Sequence, residues 1–371
     1  MFGRLKMLQF FRKAKNKDVL CTVPFRHLHI YEDGYVSFCC YSWQPHFIGN
    51  IKQNSILEIL QTSKAQKIRE SVTFGDFKYC EEDLCPVLVT LKQQARVMEP
   101  LRSEKLSNKK KQITLYLNYD KSCNLACSSC RNELIFYKQK NIPESLRSTH
   151  EAVLRNIKIL LAEDYEVSLN ITGSGDAFAS ELYAQLMNEL VSVANIKYNL
   201  QTNGILMNAQ NISNELKKKI RWINVSVDAA TAETYSKVRR GGRWSVLLNN
   251  LQWMNDELEQ GHFEQLDGWQ LNFIVQEENY QEIPQFLQMA LAYSSKPRIW
   301  FNLIDDWGHL PSQEFKRKAI WQKDHPQHQT FLNILIKLPH LHPQIIYGNM
   351  LSYLVASQNK AASQNKSVSV D

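Results

Sequence analysis

Three cysteines close together at the end of a β-like run set the chemistry open to this chain. In residues 113–131, ITLYLNYDKSCNLACSSCR, the apolar alternation stops and Cys123-x3-Cys127-x2-Cys130 follows. Three thiolates in so short a loop can hold three irons of a cubane cluster and leave the fourth iron without a protein ligand. An open iron can bind and reduce a small molecule. The alternative is zinc, which takes four Cys or His ligands. The next His or Cys after Cys130 is His150, inside a helical pattern, so a zinc site here needs a distant partner.

A second cysteine group lies upstream. Residues 21–40, CTVPFRHLHIYEDGYVSFCC, alternate polar and apolar through His27, Leu28, His29, Ile30 and Tyr31. They turn at Asp33-Gly34 and return from Val36 to Cys39, which predicts a β-hairpin. Cys21-x12-Gly34-x4-Cys39 places one thiolate before the hairpin and one near its end. Cys80-x4-Cys85-Pro86 adds two more, the last followed by proline as in some ferredoxin loops. Four thiolates close a 4Fe–4S site; a zinc ribbon is the alternative. Cys40 stands outside the four, as a buried thiol, a substitute ligand or a catalytic thiol.

The elements that must position these groups follow from periodicity. Strands are predicted near 113–118, 167–171, 196–201, 222–227, 269–275 and 298–304. Helical patterns lie between them at 143–163, 180–194, 211–220, 231–260 (broken at Gly241-Gly242) and 279–294. Strand–helix alternation repeated six times implies parallel strands with right-handed crossovers, hence an α/β sheet or partial barrel. The active site of such a fold gathers at the C-terminal ends of the strands. There the sequence carries the cysteine triad, Thr172-Gly173-Ser174-Gly175-Asp176, Gln201-Thr202-Asn203-Gly204 and Ser226-Val227-Asp228.

In order and spacing these motifs resemble the radical S-adenosylmethionine (radical SAM) superfamily over roughly 113–310. The resemblance implies a (β/α)6 partial TIM barrel with a 4Fe–4S cluster on Cys123, Cys127 and Cys130. Ser174, Gly175 and Asp176 stand where the family receives the cofactor's amino group. Asn203, Ser226 and Asp228 complete the implied S-adenosylmethionine set. The stretch SVDAATAETYSKVRRGG (226–242) also looks like this family, with roles not assigned. One departure is Ser129, where the family often has an aromatic residue against adenine; Leu125 or Ile304 would serve instead. The implied reaction is reductive cleavage of S-adenosylmethionine, giving a 5′-deoxyadenosyl radical that takes hydrogen from a substrate. An external donor such as flavodoxin or ferredoxin would supply the electron.

The upstream block resembles the SPASM/twitch auxiliary-cluster domain, through C-x12-G-x4-CC, IGNIKQNSILEIL (48–60), AQKIRES (65–71) and FGDFKYCEEDLCP (74–86). That implies a second 4Fe–4S cluster on Cys21, Cys39, Cys80 and Cys85, in a small Cys-rich α+β domain. The family usually places this domain after the barrel; here it comes first, with five cysteines rather than seven.

Composition bounds the rest. The chain has 371 residues, 44% of them hydrophobic, and eight cysteines. No apolar run approaches the ~20 residues of a membrane span, and no secretory pattern opens the chain, so a reducing cytoplasm is expected. The net charge of +7 comes from two stretches. Segment 1–17 has six basic and no acidic residues, and 102–111 nets +4, while the remainder holds 33 basic against 36 acidic residues. Such an arm and linker are solvated stretches, and nucleic acid is not an expected partner.

The expected organisation is a basic arm (1–17), the auxiliary domain (18–100), a basic linker (101–112), the barrel (113–310), a helical extension (311–356) and a disordered tail (357–371). The substrate is expected to be a carbohydrate or other small molecule, with Asn302, Asp305, Asp306 and Trp307 beyond the sixth strand as contacts. A peptide-maturing enzyme and a non-catalytic zinc protein are the alternatives.

Overall fold

The computed structural model describes residues 18–19, 21–89, 104–105, 111–171, 174–306, 308 and 310–368. The elements run β1 (Asp18–Val19), α1 (Val23–Arg26), β2 (His27–Tyr31), β3 (Tyr35–Ser37), β4 (Gly49–Asn50), α2 (Ile56–Ile59), α3 (Ser63–Phe74) and β5 (Glu104–Lys105). Then come β6 (Gln112–Asn118), α4 (Glu144–Ala162), β7 (Glu166–Ile171), α5 (Glu181–Leu190), β8 (Ile196–Thr202), α6 (Asn214–Lys217), β9 (Ile220–Ser226), α7 (Ala232–Val238) and α8 (Trp244–Glu259). Last are β10 (Gly268–Val275), α9 (Ile283–Leu291), β11 (Arg298–Leu303), α10 (Ser312–Lys318), α11 (His328–Ile336), β12 (Ile345–Ile346) and α12 (Leu351–Val368). From β6 to β11 each strand is followed by a helix, and the pairings β6–β7, β9–β10 and β10–β11 are parallel. This is the α/β partial-barrel class that the alternation predicts, with the Cys-rich segment in front of it.

Packing divides the chain into two compact units: Met1–Lys121, Tyr137–Gly175 and Glu181–Tyr198 form one, and Ser122–Phe136, Asp176–Ser180 and Asn199–Asp371 the other. In the first unit the strands lie in the order β7-β6-β2-β3-β4. β2 and β3 form the expected hairpin, and Gly34 supplies the φ of 82° that its turn needs. β2 also pairs in parallel with β6, so the Cys-rich segment contributes a strand beside the first barrel strand. Leu28, Ile30, Leu115, Leu117, Val167 and Leu169 alternate inward, buried with Val153, Ile157 and Leu160 of α4. Each such side chain contributes about 1.5–3 kcal/mol by leaving water. Asn156 of α4 accepts from the backbone N–H of Ile56 at 2.6 Å, inside the core.

In the second unit β9, β10, β11 and β12 are successive parallel neighbours. Phe273, Phe286 and Phe301 meet with ring centroids 4.8–5.8 Å apart. The predicted break at Gly241-Gly242 separates α7 from α8, and a Cβ at Gly242 would stand 2.7 Å from the Tyr235 ring. Among the described residues no helix is long and apolar enough to cross a membrane.

Three expectations need correction. The tail 357–371 was expected to be disordered, yet α12 runs through Val368. Its Ala, Gln, Lys and Ser repeat is polar but contains neither Gly nor Pro, and Ala, Gln and Lys are good helix formers. The linker 101–112 contains β5, which pairs antiparallel with β1, and its last residue opens β6. The extension 311–356 contains α10, α11 and the start of α12, and also supplies β12, in parallel to β11. The arm 1–17 lies outside the described residues.

Candidate functional site

The loop that leaves β6 carries the three cysteines and folds back on itself. Cys130 and Arg131 both donate their backbone N–H to the Cys127 carbonyl, at 3.0 and 3.1 Å. This turn gathers Cys123, Cys127 and Cys130 into one small patch with Leu125 and Ile205. Cys123 N–H donates to Ile135 O at 2.7 Å and closes the loop behind them. The residues after α7 back the loop: Ala126 N–H donates to Arg240 O, and Arg240 returns Nε to Ala126 O at 2.7 Å and Nη2 to Arg131 O at 2.8 Å. The 226–242 stretch, without assigned roles in the sequence, is thus the support of the cysteine loop.

Each of the three thiols has its own nitrogen donor. Asn203 Nδ2 lies 3.7 Å from Cys123 Sγ, Arg239 Nη1 lies 3.4 Å from Cys127 Sγ, and the Arg131 side chain bonds to Cys130. Burial, followed by the charge of Asp176, pushes the Cys123 thiol up to about 11. Without a metal such a thiol keeps its proton at neutral pH; metal binding has to displace it.

Carboxylates anchor two of these donors. Arg239 pairs with Asp228 at 2.6 Å, and Asp228 also accepts the Ile274 N–H at 2.8 Å. Burial would lower the Arg239 pKa, but Asp228 and Cys127 outweigh it and hold the guanidinium firmly charged. Asp228 has a φ of 60°, costly for a non-glycine residue. Asp176, 2% exposed, accepts Asn203 N–H at 2.7 Å, Thr202 Oγ1 at 2.9 Å and Phe178 N–H at 3.0 Å. Burial raises its pKa against those bonds.

The sequence-predicted cofactor residues thus divide. Asp176, Asn203 and Asp228 surround the triad, but as buried struts whose polar atoms already serve the chain. Ser226 ends β9 in register with Asn272, half-buried. In the first unit Ser174 Oγ donates to Asn118 O at 2.9 Å, and Gly175 is half-buried. Arg131, Arg239 and Arg240 were not singled out. The dipeptide Arg239-Arg240 just ahead of Gly241-Gly242 was the available signal. Lys318, 1% exposed, also reaches the loop, donating to Ser128 Oγ at 3.2 Å and pairing with Glu278 at 2.5 Å.

A test follows for Asp176. Replacing it by Ala strands two buried donors and a half-buried one, so the protein without cofactor should lose about 1–3 kcal/mol of stability. That reads as a lower urea midpoint with unchanged slope. An unchanged midpoint would make the residue a ligand contact alone.

Of the suggested substrate contacts, Asn302 Oδ1 accepts Asn349 N–H at 3.4 Å and Asp306 caps a turn at Gly308 N–H at 2.9 Å. Burial raises the Asp305 pKa. Trp307 lies outside the described residues. Ile304 is buried, with its carbonyl taken by Trp321 Nε1.

The upstream cysteines also assemble, within the first unit. Cys21, Cys80 and Cys85 pack with Val72, Phe77 and Leu88. Burial raises the Cys39 thiol, and Cys85 and Cys21 are close enough to raise it further. Burial and then Cys85 push Cys80 up to about 12. Cys40 donates its backbone N–H to Cys39, and its side chain stays half-buried. None of the eight cysteines is in a disulfide. Among the described residues no three His, Cys, Asp or Glu side chains form a group that could hold a metal ion.

Comparison with known proteins bears on both cysteine groups. Residues 21–86 match the family model of SPASM, an iron–sulfur cluster-binding domain. Residues 117–290 match the radical SAM superfamily model. Similar solved structures include Streptococcus suis SuiB bound to S-adenosylmethionine (12% identity, TM-score 0.37), covering 70% of this chain and 58% of that one. Another is the radical S-adenosylmethionine methyltransferase TsrM from Kitasatospora setae with cobalamin and a [4Fe-4S] cluster bound (13% identity, TM-score 0.34), covering 49% and 35%. The chain therefore spans 58% of the length of the SuiB structure. No curated protein matches it in sequence.

Proposed function

We propose, for a chain that belongs to the radical SAM superfamily and carries a SPASM domain, that Cys123, Cys127 and Cys130 hold the catalytic 4Fe–4S cluster. The second cluster sits on Cys21, Cys39, Cys80 and Cys85, and the enzyme acts on a small molecule of the carbohydrate kind. When bound, the first cluster and S-adenosylmethionine supply reductive cleavage of the sulfonium C–S bond and hydrogen abstraction from the substrate.

The observation that carries this reading is the donor set at the triad. Three thiolates crowded on one loop repel one another, and each here faces an N–H group, two of them cationic. Hydrogen bonds and positive charge at cluster sulfurs are what such a group requires to be stable, and they set its potential. Leu125 and Ile205 keep water from the sulfurs, and the Arg240 hydrogen bonds fix the loop that carries them. Four thiolates would fill every ligand position of a cubane, so such a site would suit electron transfer better than substrate ligation. An external one-electron donor is the partner this chemistry needs, and the cytoplasm is where these thiols stay reduced.

Iron, sulfide and zinc measured on one anaerobically reconstituted sample test the reading. About eight irons per chain are expected, four at each site. About four would remove the auxiliary cluster, and stoichiometric zinc without iron would sink the proposal.

A further inference from the structure

Within the first unit, β2, β6 and β7 present two unlike faces. One is the apolar core. On the other, the register aligns His27 with Thr114 and Ser168, His29 with Tyr116 and Asn170, and Tyr31 with Asn118. All of these are half-buried rather than sealed in the core.

The groups on this face are organised. The His29 ring stacks on Tyr116 at 4.2 Å with an interplanar angle of 2°. Asn118 Nδ2 lies 3.1 Å from His29 Nδ1; as donor to it, it leaves the imidazole proton on Nε2. The Tyr116 phenol bonds to Asn170. Burial, and then the neighbouring His27, lower the His29 pKa to about 3, so this imidazole is neutral. Charge is confined to the margins. Glu166, at the N-terminal end of β7, is held by Gln112 at 2.8 Å and paired with Lys197 of β8 at 3.9 Å, and Glu32 and Lys121 neutralise one another at 2.5 Å.

The face also adjoins the auxiliary thiols. Tyr116 is near enough to Cys39 to feel its charge, and the Tyr31 hydroxyl donates to Cys39 O at 3.4 Å.

We propose that this face, centred on His29, Tyr116 and Asn118, binds the substrate and selects an uncharged ligand rich in hydroxyl and amide groups, of the carbohydrate class. The inference rests on the radical SAM reading above and names the kind of molecule that site takes. Imidazole, phenol and carboxamide groups offer donors and acceptors in alternation, which matches sugar hydroxyls. The stacking of His29 on Tyr116 holds these polar groups in fixed positions. A carboxylate or phosphate would lose its water and find no counter-charge on β2, β6 or β7. Because His29 comes from the Cys-rich segment and Tyr116 from the first barrel strand, the substrate would lie beside the auxiliary site.

Saturation-transfer NMR on the reconstituted full chain tests this, with N-acetylglucosamine as the neutral probe. Glucose 6-phosphate and a blocked dipeptide amide are the comparators. N-acetylglucosamine should bind, and His29→Phe, which keeps a stacking ring but removes both ring nitrogens, should weaken it about tenfold. Tyr116→Phe removes only the hydroxyl facing Asn170, preserves the stack, and should also weaken binding. Iron content and thermal midpoint verify that each variant is folded and loaded. No binding of the neutral probe, equal binding by wild type and both variants, or tighter binding of the phosphate or the peptide overturns the inference. Failure of the wild type to take up iron would instead overturn the function it rests on.

Discussion

Cys127→Ala should abolish S-adenosylmethionine cleavage and remove about four irons per chain, leaving the auxiliary set in place. The expectation goes beyond the loss of one ligand in three. Cys127 is the centre of its loop: its carbonyl receives the N–H groups of Cys130 and Arg131, and its sulfur faces Arg239. Alanine preserves the turn, so the backbone should fold as before, but the Arg239 guanidinium then faces a void. Two remaining thiolates cannot retain a cubane against chelation. Cys80→Ala gives the contrast. It lies in the first unit among Cys21, Cys85 and Phe77, so cleavage should persist, substrate turnover should stop, and about four irons should remain. Anaerobic iron analysis with 5′-deoxyadenosine detection distinguishes the two variants. Equal iron and equal cleavage in wild type and Cys127→Ala would end the assignment of the triad.

How much of this was legible beforehand depends on the range of the interactions involved. The six strands and the break at Gly241-Gly242 are written in local periodicity and glycine placement, and the structure reproduces them within a few residues. The cysteine triad is legible for the same reason, since its three thiols lie within one loop. The hairpin was legible too, but its partner was not. β2 pairs with β6, and nothing local marks which of several alternating segments a strand will join. The division between an auxiliary domain and a barrel is therefore sharper in the sequence than in the packing.

The carboxylates are legible only in part. Asp176 and Asp228 sit at strand ends, where ligands are expected, and sequence position cannot say whether a carboxylate faces a ligand or its own backbone. Here both are buried among donors from the chain. They organise the nitrogen groups that face sulfur. Arg239 was invisible because its meaning lies in partners 11 and 112 positions away in the chain, Asp228 and Cys127. The helical tail fails as a prediction for the opposite reason. A polar repeat was read as unable to form a core, although an outer helix needs only propensity and one packed face.

Arg239 carries the second large effect. Its guanidinium bridges Asp228 and Cys127, with 12% of the side chain exposed against 3% for Asp228. Methionine at 239 would preserve most of the packing and leave the Asp228 carboxylate buried without a counter-charge. Breaking a buried pair in this way costs about 3–5 kcal/mol, and the left-handed backbone at Asp228 leaves that side chain little freedom to turn toward water. Urea unfolding of the reduced apoprotein measures the loss. The double variant Asp228→Asn/Arg239→Met should recover part of it, because the stranded charge is gone, and the cycle then isolates the pair. The same single variant should load less iron than wild type, since Cys127 loses the donor that favours its thiolate. A loss below about 1 kcal/mol would put the pair among exposed ion pairs. In that case the relay from carboxylate through guanidinium to sulfur would not be what holds the cysteine loop ready.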